Sequence, residues 1–394
     1  MKEIFGKYFR GDSVIWGIII FLSLFSMLAV YSSTGTLAVK MQGGNTAYYF
    51  IKHSMFVFLG IAIILVVHLV PYRFFSKVSI LLLYLSVPLL FLTLVLGTSL
   101  NDASRWLTIP GIGISFQTSD LAKLALIMYI ARSLAVKQEV IKDFKLAFRP
   151  IMIAILIICG LILPANFSTA ALLFATTSIL MFVGGINLKY LFSMFGVGAL
   201  ALTIFIVIVL NTNNTGRVGT WKNRIENFVS GDNQDANFQA DQAKIAISTG
   251  GLFGKLPGNS TQRNFLPHPY SDFIFAIIVE EYGLVGGLFV MLLYLTLLYR
   301  AGKIVRKSTG SFAAFLAFGL TLSLVFQALI NMAVAVNLFP VTGQTLPFVS
   351  MGGTSILFTS VALGIILSVS RDVNIEAKEA ETEIVPSQQE VAKA

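Results

Sequence analysis

Asp272 opens the most chemically suggestive stretch of this chain. It stands at the head of an apolar run in GGLFGKLPGNSTQRNFLPHPYSDFIFAIIVEEYGLVGG, residues 250–287, with Glu280 and Glu281 inside the same run. A carboxylate so placed suits a general base, which takes a proton from a hydroxyl as a new bond forms and contributes roughly 10²–10⁴-fold to a rate. Gly250, Gly251, Gly254 and Gly258 allow close backbone approach, and Lys255 and Arg263 bring positive charge nearby. Aspartate just before an apolar helix is also a standard N-cap. That plainer role stays open on these residues alone.

Other polar residues interrupt apolar runs. Asp120 and Lys123 open the run SFQTSDLAKLALIMYIA, and three residues apart they share a helix face and can pair. An ion pair anchoring a helix end is the plain alternative. Asn166, Ser168 and Thr169 begin another run, where capping is the simple role. Glu280 and Glu281 are harder to place. One continuous helix from Phe273 would sink them about 12 Å below its start, where adjacent carboxylates are costly. The expectation is a short interfacial or re-entrant helix over 273–281, with the true span beginning near Gly283. The stretch NLFPVTGQTLPFVSMGGTS, residues 337–355, is rich in turn-formers and carries Ser350. Irregular backbone at membrane depth survives only when buried in protein or lining a cavity. This stretch is therefore expected to wall the same polar cavity as Asp272, with Asp120, Asn166, Thr169, Glu280, Glu281 and Ser350 as its supporting polar residues; a plain turn between helices is the simpler alternative.

The elements that must position these residues are membrane spans. The chain of 394 residues is 56% hydrophobic and 12% charged, with mean hydropathy +0.81, against about 25% charged for soluble domains. Runs of about 20 apolar residues mark spans, and about ten occur: 14–33, 53–70, 76–97, 119–136, 149–164, 167–185, 188–210, 273–301, 311–335 and 351–370. The fold class is an all-α integral membrane protein with one large extracytoplasmic loop, 211–272, between helices 7 and 8. Residues 1–371 form the polytopic unit, and 372–394 read as a disordered cytoplasmic tail. Lys and Arg gather beside alternate runs, which sets both termini in the cytoplasm. The net charge of +9 is explained by that topology and calls for no nucleic acid. The single cysteine excludes an internal disulfide, and the three histidines lack metal-ligand spacing.

Four blocks together resemble the SEDS (shape, elongation, division and sporulation) family, the FtsW/RodA group of bacterial cell-wall synthases. They are NDASRWLTIPGIGISFQTSDLAK at 101–123, PANFSTA at 164–170, the 250–287 block, and NMAVAVNLFPVTGQTLPFVSMGGTS at 331–355. The resemblance implies a ten-helix bundle and peptidoglycan glycosyltransfer from lipid II, a disaccharide-pentapeptide on undecaprenyl pyrophosphate. It places the essential aspartate on Asp272, the external Arg-Trp pair on Arg105 and Trp106, and a polar element on Gln117–Lys123. Thr118 and Asp120 stand there for proline and glutamate. Where the family carries further acids, this chain has Asn166 and His268.

The implied reaction is attack by an acceptor sugar hydroxyl with inversion and loss of pyrophosphate. Arg105, Lys123, Arg224 and Arg263 are the candidates to face that leaving group, a role a divalent ion (Mg or Mn) could share, and Trp106 is either a stacking platform for a sugar or an interfacial anchor. The implied partners are a class B penicillin-binding protein and other divisome membrane proteins, in the bacterial inner membrane. GNSTQRNFLP and DFIFAII favour the division branch, hence septal wall synthesis. The rivals are an elongation-type polymerase, a lipid II flippase and a non-catalytic scaffold.

Overall fold

Asp12 starts the bundle. Its carboxylate accepts from the backbone N–H groups of Val14 at 2.9 Å and Ile15 at 3.4 Å, capping α1 (Ser13–Ser33), whose Ile15, Ile18, Ile19 and Leu22 are buried. The computed structural model describes residues 9–100, 103–108, 115–211 and 234–391. After α1 come α2 (Gly35–Gln42), α3 (Thr46–Val67) and α4 (Tyr72–Leu96). Three short strands follow: β1 (Thr98–Leu100), β2 (Ala103–Thr108) and β3 (Ser115–Gln117). Then come α5 (Thr118–Val136), α6 (Arg149–Ile162), α7 (Phe167–Val183), α8 (Leu188–Asn211), α9 (Gln234–Gly250), α10 (Ile274–Lys307), α11 (Ser311–Ala335) and α12 (Thr354–Val391).

This is a multi-pass membrane protein with an all-α transmembrane part. Among the described residues, seven helices are long and apolar enough to cross a membrane. Shorter apolar helices lie at Phe167–Val183 and Leu188–Leu200, and α5 holds Asp120, Lys123 and Arg132 within 19 residues. Those three bring the set to the expected ten. In α11 67% of the apolar window is buried and in the last span 78%, against 22% in α3. The former two are therefore the axis of the bundle, and α3 presents Ile51, Met55 and Phe58 outward, as lipid contact allows.

The loop 98–116, expected outside the membrane, is not simply irregular. Its described parts form an antiparallel sheet in the order β1-β2-β3, in which Trp106 pairs with Gln117 and Thr108 with Ser115. The strand is too short for alternation to reveal it in sequence. α9 runs up to Gly250, and Gly251 follows it with φ 56°.

α10 is broken where the two glutamates require it. Gly283 has φ 71° and ψ −174°, dividing the element into 274–282 and 284–307. The backbone groups freed by the break are satisfied by the preceding loop. Leu284 N–H donates to Gly251 C=O at 2.9 Å, Val285 N–H to Leu252 C=O at 3.2 Å, and Lys255 N–H to Glu280 C=O at 3.0 Å. The two backbones touch. A Cβ on Gly254 would strike Glu281 C=O and Gly283 N, and one on Gly283 would strike Leu252 C=O and Gly254 N.

Asp12 and residues 372–376 are each tied to a neighbouring helix. Asp12 pairs with Arg300, Asp372 accepts from Tyr72 N–H at 3.2 Å, and Glu376 meets Arg73 at 3.3 Å. The α12 backbone continues helical to Val391, where the sequence analysis expected disorder from 372. EAKEAETE is made of good helix formers, and the preceding span supplies an existing helix to extend.

Candidate active site

The backbone of Asp272 is held residue by residue by the 337–353 loop and α11. Met351 N–H donates to Tyr270 C=O at 2.9 Å. Ser350 Oγ donates to Ser271 C=O at 2.7 Å, and Asn331 Nδ2 donates to Asp272 C=O at 2.8 Å. Three successive carbonyls are thus fixed by three donors. Asp272 is not the N-cap of α10; Phe273 occupies that position. The carboxylate is half-buried and accepts from Ser271 Oγ at 2.9 Å. Burial, Tyr49 and the Asp272 charge all push the Tyr270 phenol above its ordinary value, so it stays a neutral neighbour.

Asn331 carries the clamp onward. Its Nδ2 also donates to Gln344 C=O at 2.8 Å, and Gln344 Nε2 donates to Thr169 Oγ1 at 2.7 Å. Thr169 N–H in turn donates to Asn166 Oδ1 at 3.2 Å, the expected cap of α7. Asn166 shares with Thr93, Thr118 and Ser119 the lining of a small, mostly apolar pocket closed by Leu90, Leu94 and Leu161. Ser350 Oγ also accepts from Leu346 N–H at 2.8 Å, tightening the loop on itself.

A second arm leads to the Gln117–Lys123 element. Lys123 Nζ lies 2.8 Å from Asp120 Oδ1 and donates to Gln327 Oε1 at 3.2 Å. Gln327 Nε2 donates to Thr345 C=O at 2.9 Å, next to Gln344. Asp120 Oδ2 is buried without a hydrogen-bond partner among the described residues. Beside it is a cavity with about 40 Å³ of room for water, lined also by Ser323, Gln327, Ser355 and Thr359. Water there would satisfy the orphaned oxygen. Gln117 Nε2 donates to Ser119 Oγ at 2.9 Å, and its strand neighbour Trp106 is half-buried.

Glu280 and Glu281 do not join Asp272. They are 0% and 1% exposed, and their partners come from the loop before it. Glu280 pairs with Lys255 at 2.6 Å and accepts from the hydroxyls of Ser260 at 2.5 Å and Thr261 at 2.8 Å, with Thr261 N–H at 3.1 Å. Glu281 accepts from Ser32 Oγ and from Ser260 N–H at 3.2 Å. The Arg263 guanidinium donates to Ser32 C=O at 3.0 Å and to Ser32 Oγ at 3.1 Å. Of the acids expected to support the reaction cavity, Glu280 instead ties the 255–262 loop to α10 and Glu281 joins that loop to α1 through Ser32, its Oε2 left without a hydrogen-bond partner among the described residues. Arg224 and the Arg105 side chain lie outside the described residues. His268 is exposed, 3.3 Å from Tyr270 Oη.

The residues the sequence analysis overlooked as site residues are Asn331, Gln344 and Gln327. Amides inside apolar spans or turns were the available signal.

Comparison with known proteins agrees with this arrangement. Residues 12–375 match the FtsW/RodA/SpoVE family model, described as cell cycle protein. The chain belongs to this family. An FtsW/RodA relative from Trichlorobacter lovleyi, named probable peptidoglycan glycosyltransferase FtsW, is 33% identical over 95% of this chain and 98% of its own. One of the same name from Coxiella burnetii is 33% identical over 90% and 95%. Among solved structures, a peptidoglycan synthase complex chain aligns with TM-score 0.70 at 24% identity, covering 92% of this chain and 98% of that one. The rod shape determining protein RodA of Thermus thermophilus aligns with TM-score 0.66 at 24% identity, covering 92% and 97%. The likeness to those structures establishes a shared FtsW/RodA fold. Among the described residues no three His, Cys, Asp or Glu side chains converge as a metal site.

Proposed function

We propose that this chain is a peptidoglycan glycosyltransferase that polymerises lipid II and releases undecaprenyl pyrophosphate during septal wall synthesis. The observation that carries the reading is the mount of Asp272. A carboxylate that is half-buried, off the cap position and fixed through three backbone carbonyls is preorganised for proton transfer. The relatives' shared name supplies the substrate class.

In this reading Asp272 removes the proton of an acceptor sugar 4-hydroxyl. That oxygen then bonds to the anomeric carbon of the donor, with inversion, as the glycosyl–phosphate bond breaks. The electron pair leaves on pyrophosphate, which needs no protonating acid. Lys123, poised between Asp120 and Gln327, and Arg105 supply positive charge to the departing group. No step is assigned to a metal.

The chain works as a multi-pass protein of the bacterial inner membrane, with both termini cytoplasmic and Asp272 outside. A class B penicillin-binding protein is the partner that cross-links the product, alongside other divisome membrane proteins. Purified protein given lipid II is expected to make glycan polymer, and Asp272→Asn to abolish it with folding and partner binding intact. Lipid movement without polymer would instead mark a flippase, and neither activity a scaffold. Depletion is expected to give filaments; rounded cells would place the enzyme in elongation.

A further inference from the structure

The end of the bundle remote from Asp272 holds a basic hollow that the glycosyl transfer does not use. α10 delivers Arg300, Lys303, Arg306 and Lys307 to it, α12 adds Ser370, Val373 and Asn374, and Gly11–Ser13 close the third side. Its volume is about 610 Å³. The 284–307 part of α10 spans roughly 36 Å at 1.5 Å per residue, so the hollow is separated from the Asp272 mount by most of a membrane thickness.

Basic residues beside a span are ordinary topology signals, and the end of a helix tolerates them well. Three observations go beyond that. Arg300 is held in a two-pronged pair with Asp12, Nε at 2.7 Å and a terminal nitrogen at 2.5 Å. Asp12 is already engaged in capping α1, so it orients the guanidinium and has little capacity left for other cations. Lys303, Arg306 and Lys307 carry no ion pair with any described residue, while Lys303 stands 4.8 Å over the Tyr299 ring. Four cations against one carboxylate leave the hollow strongly positive. Its remaining walls combine hydrogen-bonding Ser370 and Asn374 with apolar Ile304 and Val373. That mixture suits a phosphate attached to a less polar body at the membrane surface.

We propose that this hollow binds a phosphate group, presented by the headgroup of an anionic membrane lipid. The cations would take the phosphate oxygens through charge-assisted hydrogen bonds.

The test is lipid retention by the full-length protein in neutral detergent, measured by native mass spectrometry during titration with phosphatidylglycerol. One saturable lipid is expected, with phosphatidylcholine held far more weakly. The combined Lys303→Ala, Arg306→Ala and Lys307→Ala variant should lose affinity roughly ten-fold or more, with an unchanged melting temperature. A control removing Lys142, Lys145 and Lys189, exposed basic residues that the topology places on the same side, should leave retention intact. Inorganic phosphate is the competitor. Displacement at millimolar levels, lost in the first variant, would keep the phosphate site and assign it to a soluble anion. Equal loss in both variants, or uptake without saturation, would overturn the proposal and leave only topological charge.

Discussion

Asn331 Nδ2 donates to the backbone carbonyl of Asp272 at 2.8 Å and to that of Gln344 at 2.8 Å. One buried amide on α11 thereby joins the aspartate to the 337–353 loop, and through Gln344 to Thr169 on α7. The placement of the carboxylate is consequently a property of three separate parts of the chain.

Asn331→Ala should expose that dependence. It leaves two buried carbonyls short of a donor, each worth about 1–3 kcal/mol. Polymerisation of lipid II is expected to fall at least ten-fold, about 1.4 kcal/mol in barrier, while the protein still elutes as a folded species. Asn331→Ala with wild-type rates would show that Ser350 and Met351 suffice to hold Asp272.

The glycine crossing is tested by size alone. Gly254→Ala and Gly283→Ala place a methyl against backbone atoms and demand a left-handed conformation, so each should destabilise by roughly 1–3 kcal/mol or more. Gly302→Ala, in the same helix with nothing within 4 Å of the added carbon, should be neutral or stabilising by about 0.5–1 kcal/mol. Thermal unfolding in detergent separates the two classes.

For the buried glutamate a double-mutant cycle is informative. Glu280→Gln strands Lys255 and weakens four or more hydrogen bonds, with an expected cost on the order of 3 kcal/mol. Adding Lys255→Met should return part of that loss, and the non-additivity measures the pair. Strictly additive losses would mean that the hydroxyls and N–H groups of 260–262 hold Glu280 without the lysine.

Asp120 and Lys123 separate structure from chemistry. Lys123→Met leaves a buried carboxylate unpaired, so protein yield and melting temperature should drop. Asp120→Asn with Lys123→Met removes both charges and should recover the fold but not polymerisation. Normal glycan synthesis by the double variant would reduce the pair to a helix-end anchor.

Much of this was legible in the sequence because membrane solvation is unforgiving. Two acids inside an apolar run forced a break at Gly283, and the spans followed from the length of the apolar runs. What escaped was non-local. Glu281 meets Ser32 and Glu280 meets Ser260 and Thr261, and nothing near the glutamates predicts those partners. They were therefore read as part of the reaction cavity. Asn331 and Gln327 sat in plain view as amides among aliphatic neighbours, yet acids and cations drew the attention. The strands of 98–117 were invisible because two of the three are only three residues long, too short for alternation to mark a face.

The two cylinders of α10 share no continuous ladder at residue 283, and the loop through Gly251 and Leu252 splices them instead. A disturbance of the long cylinder therefore reaches the short stub, and the aspartate before it, by way of a loop bonded to both rather than along one helical ladder.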